Sequence, residues 1–401
     1  MGDMARKIIL YVDTFFLVTV LYFMKRSFGT VEGMLKVSLG VKEGLVTLIP
    51  AMFLLAFLLG SVLGPRIDRK PIRWLFVGLI GTVVGFAGCS FSVYHFFAFL
   101  FFSALTAVSS SALYYVSNSF LARADGLGRT WDFLSDGLSR TFAPVIFAIP
   151  VVLFVTKEEE NLFWIFMSLS VIVAFLGVFL YLSVRNLPYK KNSSARFILH
   201  WWIKKRDYWG NLLIGLAYEL TGAIIGTHYR TLSKGFGGGK KEDISLLLVF
   251  CACSFVGRFF WITFGHKIST RLGLVGGAAF MVLGFLLMPL GLTNAYLGMA
   301  IVGFGAASGI ANHRCYVGDR YGQEQLISRV GSIGTPQCVI SAAMLSSTGW
   351  LYQFFGNFKM AFWGWAVFIV FIIVFFISER NIEWASPKNS KMEILRKEGS
   401  L

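Results

Sequence analysis

In a chain that is only 14% charged, the ionisable residues that interrupt its longest apolar runs are the first candidates for chemistry. They are Asp13, Lys25, Arg26, Asp132, Asp136, Arg140, Glu219, His228, Arg258, His313 and Arg314. A charge at the centre of a lipid bilayer costs roughly 2.5–3.5 kcal/mol on insertion scales, so such groups are retained where they face a cavity or a partner. Lysine and arginine supply donors for an anion, and a buried carboxyl exchanges a proton as its surroundings change. Cations close to the end of a run can instead reach water along their own stems.

Spacing sorts these residues onto helix faces. Tyr11, Thr14, Val18, Tyr22 and Lys25 recur at intervals of three and four, a single stripe that offers hydroxyls and one cation. Asp132, Asp136 and Arg140 follow at steps of four, with Ser135 and Ser139 beside them. That stripe reads either as a closed Asp136–Arg140 pair that fixes packing, or as an anion clamp or proton-sensitive switch. Ser103, Thr106, Ser110, Tyr114 and Asn118 form a third stripe, whose hydroxyls can line a cavity or simply bond carbonyls at a close helix contact. From the second half of the chain, Tyr218, Glu219, Thr221, Arg258, Asn312 and Gln337 could complete a solute site. The expected substrate-binding set is therefore Tyr22, Lys25, Tyr114, Arg140, Tyr218, Thr221, Asn312 and Gln337, with Asp13, Asp136 and Glu219 as proton-coupling candidates.

The elements that position these groups follow from hydropathy. The chain is 56% apolar and 16% aromatic, in runs of about 20 residues, enough to cross a hydrocarbon core of roughly 30 Å as helix. The runs lack the alternation of strands, and backbone in lipid must be bonded within its own segment, so the expected class is an all-α polytopic membrane protein. Twelve spans are predicted, near 8–29, 44–64, 73–92, 95–118, 131–154, 161–184, 210–231, 243–265, 272–292, 295–316, 326–348 and 356–378. The first carries Asp13 and ends in Lys25-Arg26, which does not fit a cleaved signal peptide. The stretch 185–209, with seven cations against one acid, divides the chain into six spans plus six. The expected organisation is an N-terminal half at 1–184, a cytoplasmic linker at 185–209, a C-terminal half at 210–378 and a cytoplasmic tail at 379–401.

Charge sets the expected orientation. With span-end cations counted in the adjoining segment, a cytoplasmic N-terminus leaves 25 Lys and Arg on the cytoplasmic side and 10 outside, as the positive-inside rule requires. Both termini then face the cytoplasm of a cell membrane. The net charge of +16 is accounted for by these scattered short segments rather than by one basic face, which argues against nucleic-acid binding.

The ten residues GPRIDRKPIR, Gly64 to Arg73, join the second and third spans. Gly64, then Asp68-Arg69 and Arg73, together with twelve spans and a basic central loop, resemble the major facilitator superfamily, although Pro71 stands where that family's loop has a second glycine. Gly257-Arg258, Gly265-His266-Lys267 and Arg271-Leu272-Gly273 resemble the echo of this signature in the family's second half. The resemblance implies the major facilitator fold and assigns Gly64, Asp68, Arg69, Arg73, Gly257 and Arg258 to a conformational gate. Residues YFMKRSFGTVEGMLKVSLGVKEGLVTLI resemble the first-span region of the organophosphate:phosphate antiporters, whose substrate-binding arginine falls at Lys25. Those antiporters carry a second arginine on the seventh span, where this chain reads Tyr218-Glu219-Leu220-Thr221-Gly222. A dianion needs convergent cations, so the departure weighs against phosphate esters as the solute.

The glycine pairs Gly81 and Gly85, and Gly305 and Gly309, are expected at close helix contacts, and Pro144, Pro150 and Pro336 at bends. The five cysteines lie in predicted spans and form no disulfide framework or metal-ligand spacing, and no phosphate-cradling glycine loop is present. No nucleophile–base constellation marks an enzyme, and no cofactor is expected. The reading is a monomeric secondary active transporter of a small organic solute, anionic or zwitterionic, working by alternating access with a proton or counter-solute as coupling partner. The rival reading is a proton-coupled exporter of hydrophobic or cationic compounds, of multidrug type, for which the 41 phenylalanines and the intramembrane acids speak. A non-transporting sensor or scaffold is the third.

Overall fold

Every regular element among the described residues of the computed structural model is helical; those residues are 3–123, 143, 146–147, 161–185, 206–265, 269–321, 326–356 and 359–378. In order they form α1 (Asp3–Leu21), α2 (Phe23–Arg26), a 3-10 turn (Phe28–Thr30), α3 (Glu32–Leu39), α4 (Glu43–Val46), α5 (Leu48–Arg69), α6 (Pro71–Phe91) and α7 (Phe96–Arg123). Then come α8 (Asn161–Val184), α9 (Arg206–Gly235), α10 (Lys240–Gly265), α11 (Thr270–Leu287), α12 (Leu292–Tyr321), α13 (Leu326–Phe355) and α14 (Lys359–Ile377). Each expected span falls on these helices except the fifth, 131–154, which lies almost wholly outside the described residues, as does most of the connecting stretch 185–209.

The helices are of two kinds. Among the described residues, six are long and apolar enough to cross a membrane as single runs: Pro71–Phe91, Phe96–Ser117, Asn161–Val184, Lys241–Trp261, Thr270–Leu290 and Lys359–Ile377. Their outward faces carry exposed Phe97, Trp164, Val256, Val367 and Phe371, apolar surface suited to lipid. By contrast α9 and α12, 30 residues each, have the length but are more polar. The physical reason shows in α9, which from Leu212 to Tyr229 is almost entirely buried by its neighbours and need not be apolar.

Packing repeats between the halves. In the first, α6 packs on α7, α5 on α7, α6 on α8 and α1 on α8; in the second, α11 packs on α12, α10 on α12, α11 on α14 and α9 on α14. Span for span these are the same four pairings, the mark of a duplicated bundle. Close contacts are made where side chains vanish. Carbons added at Gly81 and Gly85 would strike Ser109 and Thr106 of α7, and at Gly305 and Gly309 would strike the Gly277 carbonyl of α11 and the Tyr218 ring. One buried core runs from Leu10 to Val184; a second, from Ile214 to Phe376, takes in Ala51 and Leu54 of α5, which packs on α13.

Two expected elements come out differently. The first span is interrupted: α1 ends at Leu21, and the Lys25 N–H bonds the Tyr22 carbonyl at 3.1 Å, a three-residue turn that tightens the helix at the candidate site. The stretch GPRIDRKPIR is mostly helix rather than loop. Gly64 to Arg69 are the last turns of α5, the chain breaks only at Lys70 (φ −141°, ψ 60°), and Pro71 opens α6. Proline needs no N–H partner in a first helical turn and forces its predecessor out of the helical region, so one residue makes the whole corner.

In the second half, Arg271 shows what the matching corner does. Buried at 2% exposure, it donates from Nη2 to the carbonyls of Phe376 at 2.7 Å and Ile377 at 3.1 Å, at the end of α14, and lies against the Phe376 ring. It satisfies carbonyls that the helix terminus itself leaves without partners. Arg271→Met is expected to lower unfolding stability by about 2–3 kcal/mol, read as a fall in the thermal midpoint in detergent.

Candidate functional site

Lys25 is placed by the interrupted first span. The tight turn at Tyr22 directs α2 against α9, and there the Lys25 ammonium pairs with the Glu219 carboxylate. The side chains are 5% and 19% exposed, so the pair is nearly out of water and joins the two halves of the molecule. Lys25 also lies over the Tyr22 ring, 5.3 Å from its centre, and Tyr22 meets Tyr114 of α7 edge to face at 5.8 Å. Cys338 of α13 lies within electrostatic range of both charges. Three expected binding residues, Tyr22, Lys25 and Tyr114, thus stand together with Glu219 where α2, α7, α9 and α13 converge.

Other expected residues are engaged elsewhere. The Tyr218 hydroxyl donates to the Leu274 carbonyl and its ring fills the space over Gly309, in the α9–α11–α12 contact. The Thr221 hydroxyl, fully buried, donates to the Ala217 carbonyl of its own helix at 2.7 Å. Asn312 donates to Ser308 at 2.9 Å and lies against Gly273. Gln337 donates to the Leu212 carbonyl at 2.9 Å, next to His313, whose ring nitrogen is 3.2 Å from the Asn211 carbonyl; both press on α9 at Gly215. Asp13 is buried, and among the described residues its Oδ2 has no hydrogen-bond partner.

Of the gate residues, Gly257 is held against α12, where an added carbon would meet the Phe304 carbonyl at 2.8 Å, and Arg258 beside it is buried. Arg73 is exposed on α6. Gly64, Asp68 and Arg69 are helical residues of α5. The fifth-span stripe Asp132, Asp136 and Arg140 lies outside the described residues, as do Pro144, Pro150 and His266.

Beyond the ion pair, the halves close on each other at the end of the bundle where α2 and α4 lie. Gly29 sits against the Gly226 and Thr227 carbonyls of α9, Gly44 against Trp350 and Gln353 of α13, and Gly349 against Thr47. Arg230 of α9 donates from Nη1 to the Thr30 carbonyl at 3.1 Å and pairs through Nε with Asp243 of α10 at 3.4 Å. Arg230, Asp243 and Thr30 are not among the candidate residues that the sequence singles out. Counting along the face of α9 finds Arg230, because it lies eleven residues, close to three full turns, beyond Glu219.

No family model and no curated protein matches the sequence. The fold matches solved transporters closely. A D-xylose–proton symporter superposes with a TM-score of 0.72 at 10% identity, covering 94% of this chain and 98% of that one. The nucleoside transporter NupG superposes with a TM-score of 0.71 at 13% identity, covering 92% of this chain and 99% of the other. At such identities the likeness is one of architecture. The chain has the major facilitator fold, and the similarity includes nothing particular to organophosphate antiporters.

Proposed function

We propose that the protein is a secondary active transporter that carries a small organic anion across a cell membrane by alternating access of its two halves. The observation that carries this reading is the buried Lys25–Glu219 pair, which spans the line between the halves beside two tyrosines. A membrane protein whose sole need was packing would do as well with apolar residues there, since a buried pair contributes little net stability against its desolvation cost. The pair instead supplies a cation whose partner is exchangeable. A solute carboxylate that takes Lys25 must displace Glu219, and a stranded buried carboxylate is costly unless it takes up a proton. Binding of the anion and protonation of Glu219 are thereby linked, which gives proton coupling a physical basis. That one structural neighbour is a proton symporter supports ion coupling in general terms.

In this scheme 1–184 and 210–378 are the two rocking halves, joined by 185–209, with both termini cytoplasmic. Asp13 and the fifth-span stripe remain additional candidates for proton exchange and anion binding. Among the described residues Lys25 stands beside an acid, which favours a monovalent anion over a phosphate dianion.

The test is ligand-induced thermal stabilisation of the purified protein against monocarboxylates, phosphate esters, sugars, nucleosides and lipophilic cations, followed by uptake into proteoliposomes under an imposed proton gradient. A monocarboxylate at 100-fold over its Kd is expected to add roughly 2.7 kcal/mol, with the effect lost in Lys25→Ala. Stabilisation by lipophilic cations alone, unchanged in Lys25→Ala, would replace this reading with the multidrug exporter. Stabilisation by an uncharged sugar or nucleoside alone would retain the carrier and remove the anion.

A further inference from the structure

Helix α9 is docked on the first half at two places along one face. Glu219 holds Lys25, and eleven residues on, roughly 16 Å along the axis, Arg230 holds the Thr30 carbonyl. Thr30 ends the 3-10 turn, and α3 starts beyond it, with the Leu35 N–H bonding the Val31 carbonyl at 2.9 Å. The break in the first span thus presents the Thr30 carbonyl to α9. Arg230 reaches it while Asp243, 1% exposed in the first turn of α10, fixes the other side of the guanidinium. Around this contact Gly29 brings the backbone of the first half against the Gly226 and Thr227 carbonyls, and Tyr229 is buried beside Thr30.

The two partners of Arg230 are of different kinds. Asp243 belongs to the same half as Arg230 and moves with it, whereas the Thr30 carbonyl belongs to the other half. We propose that Arg230 is the latch of the α2 end: it holds the halves shut there through the Thr30 carbonyl, and lets go without losing its counter-ion. A salt bridge between the halves would strand two charges on opening, with the cost that follows. Here the Arg230 bond that opening breaks goes to a neutral acceptor, while the buried Glu32 of the first half, whose charge also acts on Tyr229, stays on α3; such a bond is strong enough to bias the equilibrium and weak enough to be reversed in each cycle. Asp243 is a positioning residue, since it keeps the guanidinium aimed in both states. The proposal rests on the carrier reading but not on any solute.

The test needs no solute either, so a wrong substrate class leaves it intact. Thr47, fully buried under Gly349 in the other seam at this end, is replaced by cysteine in a chain whose five native cysteines are serine. Labelling of Thr47→Cys in membranes by a hydrophilic maleimide, at concentrations where reclosing outpaces reaction, reports the open population. A second chain retains only native Cys251, buried in the core of the second half. Arg230→Gln is expected to speed labelling of Thr47→Cys about tenfold or more and to leave Cys251 unchanged. An unchanged rate at position 47, or an equal rise at Cys251, overturns the latch, the latter because it marks general loosening. Asp243→Asn, which keeps the cation and weakens its anchor, is expected to give a smaller rise at position 47 alone. Should Arg230→Gln fail to fold, Asp243→Asn decides by the same two rates.

Discussion

Lys25→Met is expected to lower unfolding stability by about 3–5 kcal/mol and to abolish solute uptake, while the Lys25→Met/Glu219→Gln double variant regains most of the stability and none of the uptake. The reasoning follows from where the two charges lie. At 5% exposure Lys25 is dry, and removing it leaves the Glu219 carboxylate opposite an apolar side chain. Glu219 keeps 19% exposure, so some hydration remains to it and the loss should fall toward the lower end of that range. Converting the acid to an amide removes the stranded charge, which is why the second substitution repairs the first. On the proposed reading uptake has a different requirement, an ammonium to receive the anion, and the amide cannot supply it. Denaturant unfolding of the four proteins in the cycle, beside counterflow uptake in proteoliposomes, separates the two effects. Additive stability losses would mean that the charges do not act as a pair; uptake by the double variant would remove Lys25 from the transport path.

Much of this architecture is legible in the sequence because bilayer physics writes it in composition. The apolar runs at 73–92, 161–184 and 356–378 correspond to α6, α8 and α14 within a few residues, since a helix in lipid has no other way to satisfy its backbone. The glycine pairs likewise identify close contacts correctly, because a missing side chain at intervals of four leaves a groove whatever the neighbour is. Corners were harder. GPRIDRKPIR reads as a loop by its charge, yet Arg66 to Arg69 continue α5, and Arg66 is exposed from the helix, which can project a cation into water as readily as a loop does. At the site, the stripe through Tyr22 and Lys25 was visible from spacing alone, and Glu219 stood out as an acid in an apolar run. What periodicity cannot tell is which face of α9 meets which half. Tyr218 and Thr221 differ from Glu219 by one and two positions, and a rotation of about 100° per residue sends Tyr218 into the α11–α12 contact while Glu219 reaches Lys25. The Arg230–Thr30 contact was hidden for a further reason: its acceptor is a backbone carbonyl, exposed by a helix break that no residue type announces.

Gly29→Ala is expected to cut transport by about tenfold or more while leaving solute binding intact, whereas Gly33→Ala, four residues away, changes neither. The two glycines differ in what faces them: Gly29 is buried in the 3-10 turn, whereas Gly33 is exposed on α3. A carbon added at Gly33 would meet nothing within 4 Å, but at Gly29 it would lie 2.5 Å from the Thr227 carbonyl oxygen, 2.9 Å from that of Gly226 and 2.9 Å from the Tyr229 ring. Helix carbonyls cannot swing aside as a side chain can, so the whole first half must back away from α9 by several tenths of an ångström. Overpacking of this kind costs typically 1–3 kcal/mol, and here it falls on the closed arrangement alone, since the contact vanishes once the halves separate. A carrier biased against one of its two states still binds solute in the other but completes few cycles. Uptake rates fall, ligand-induced thermal stabilisation persists, and the labelling rate of Thr47→Cys rises even with Arg230 in place. If Gly29→Ala instead transports as well as Gly33→Ala, closure at the α2 end is no part of the cycle, and the seam that joins Gly29, Gly44 and Gly349 to the second half is static packing.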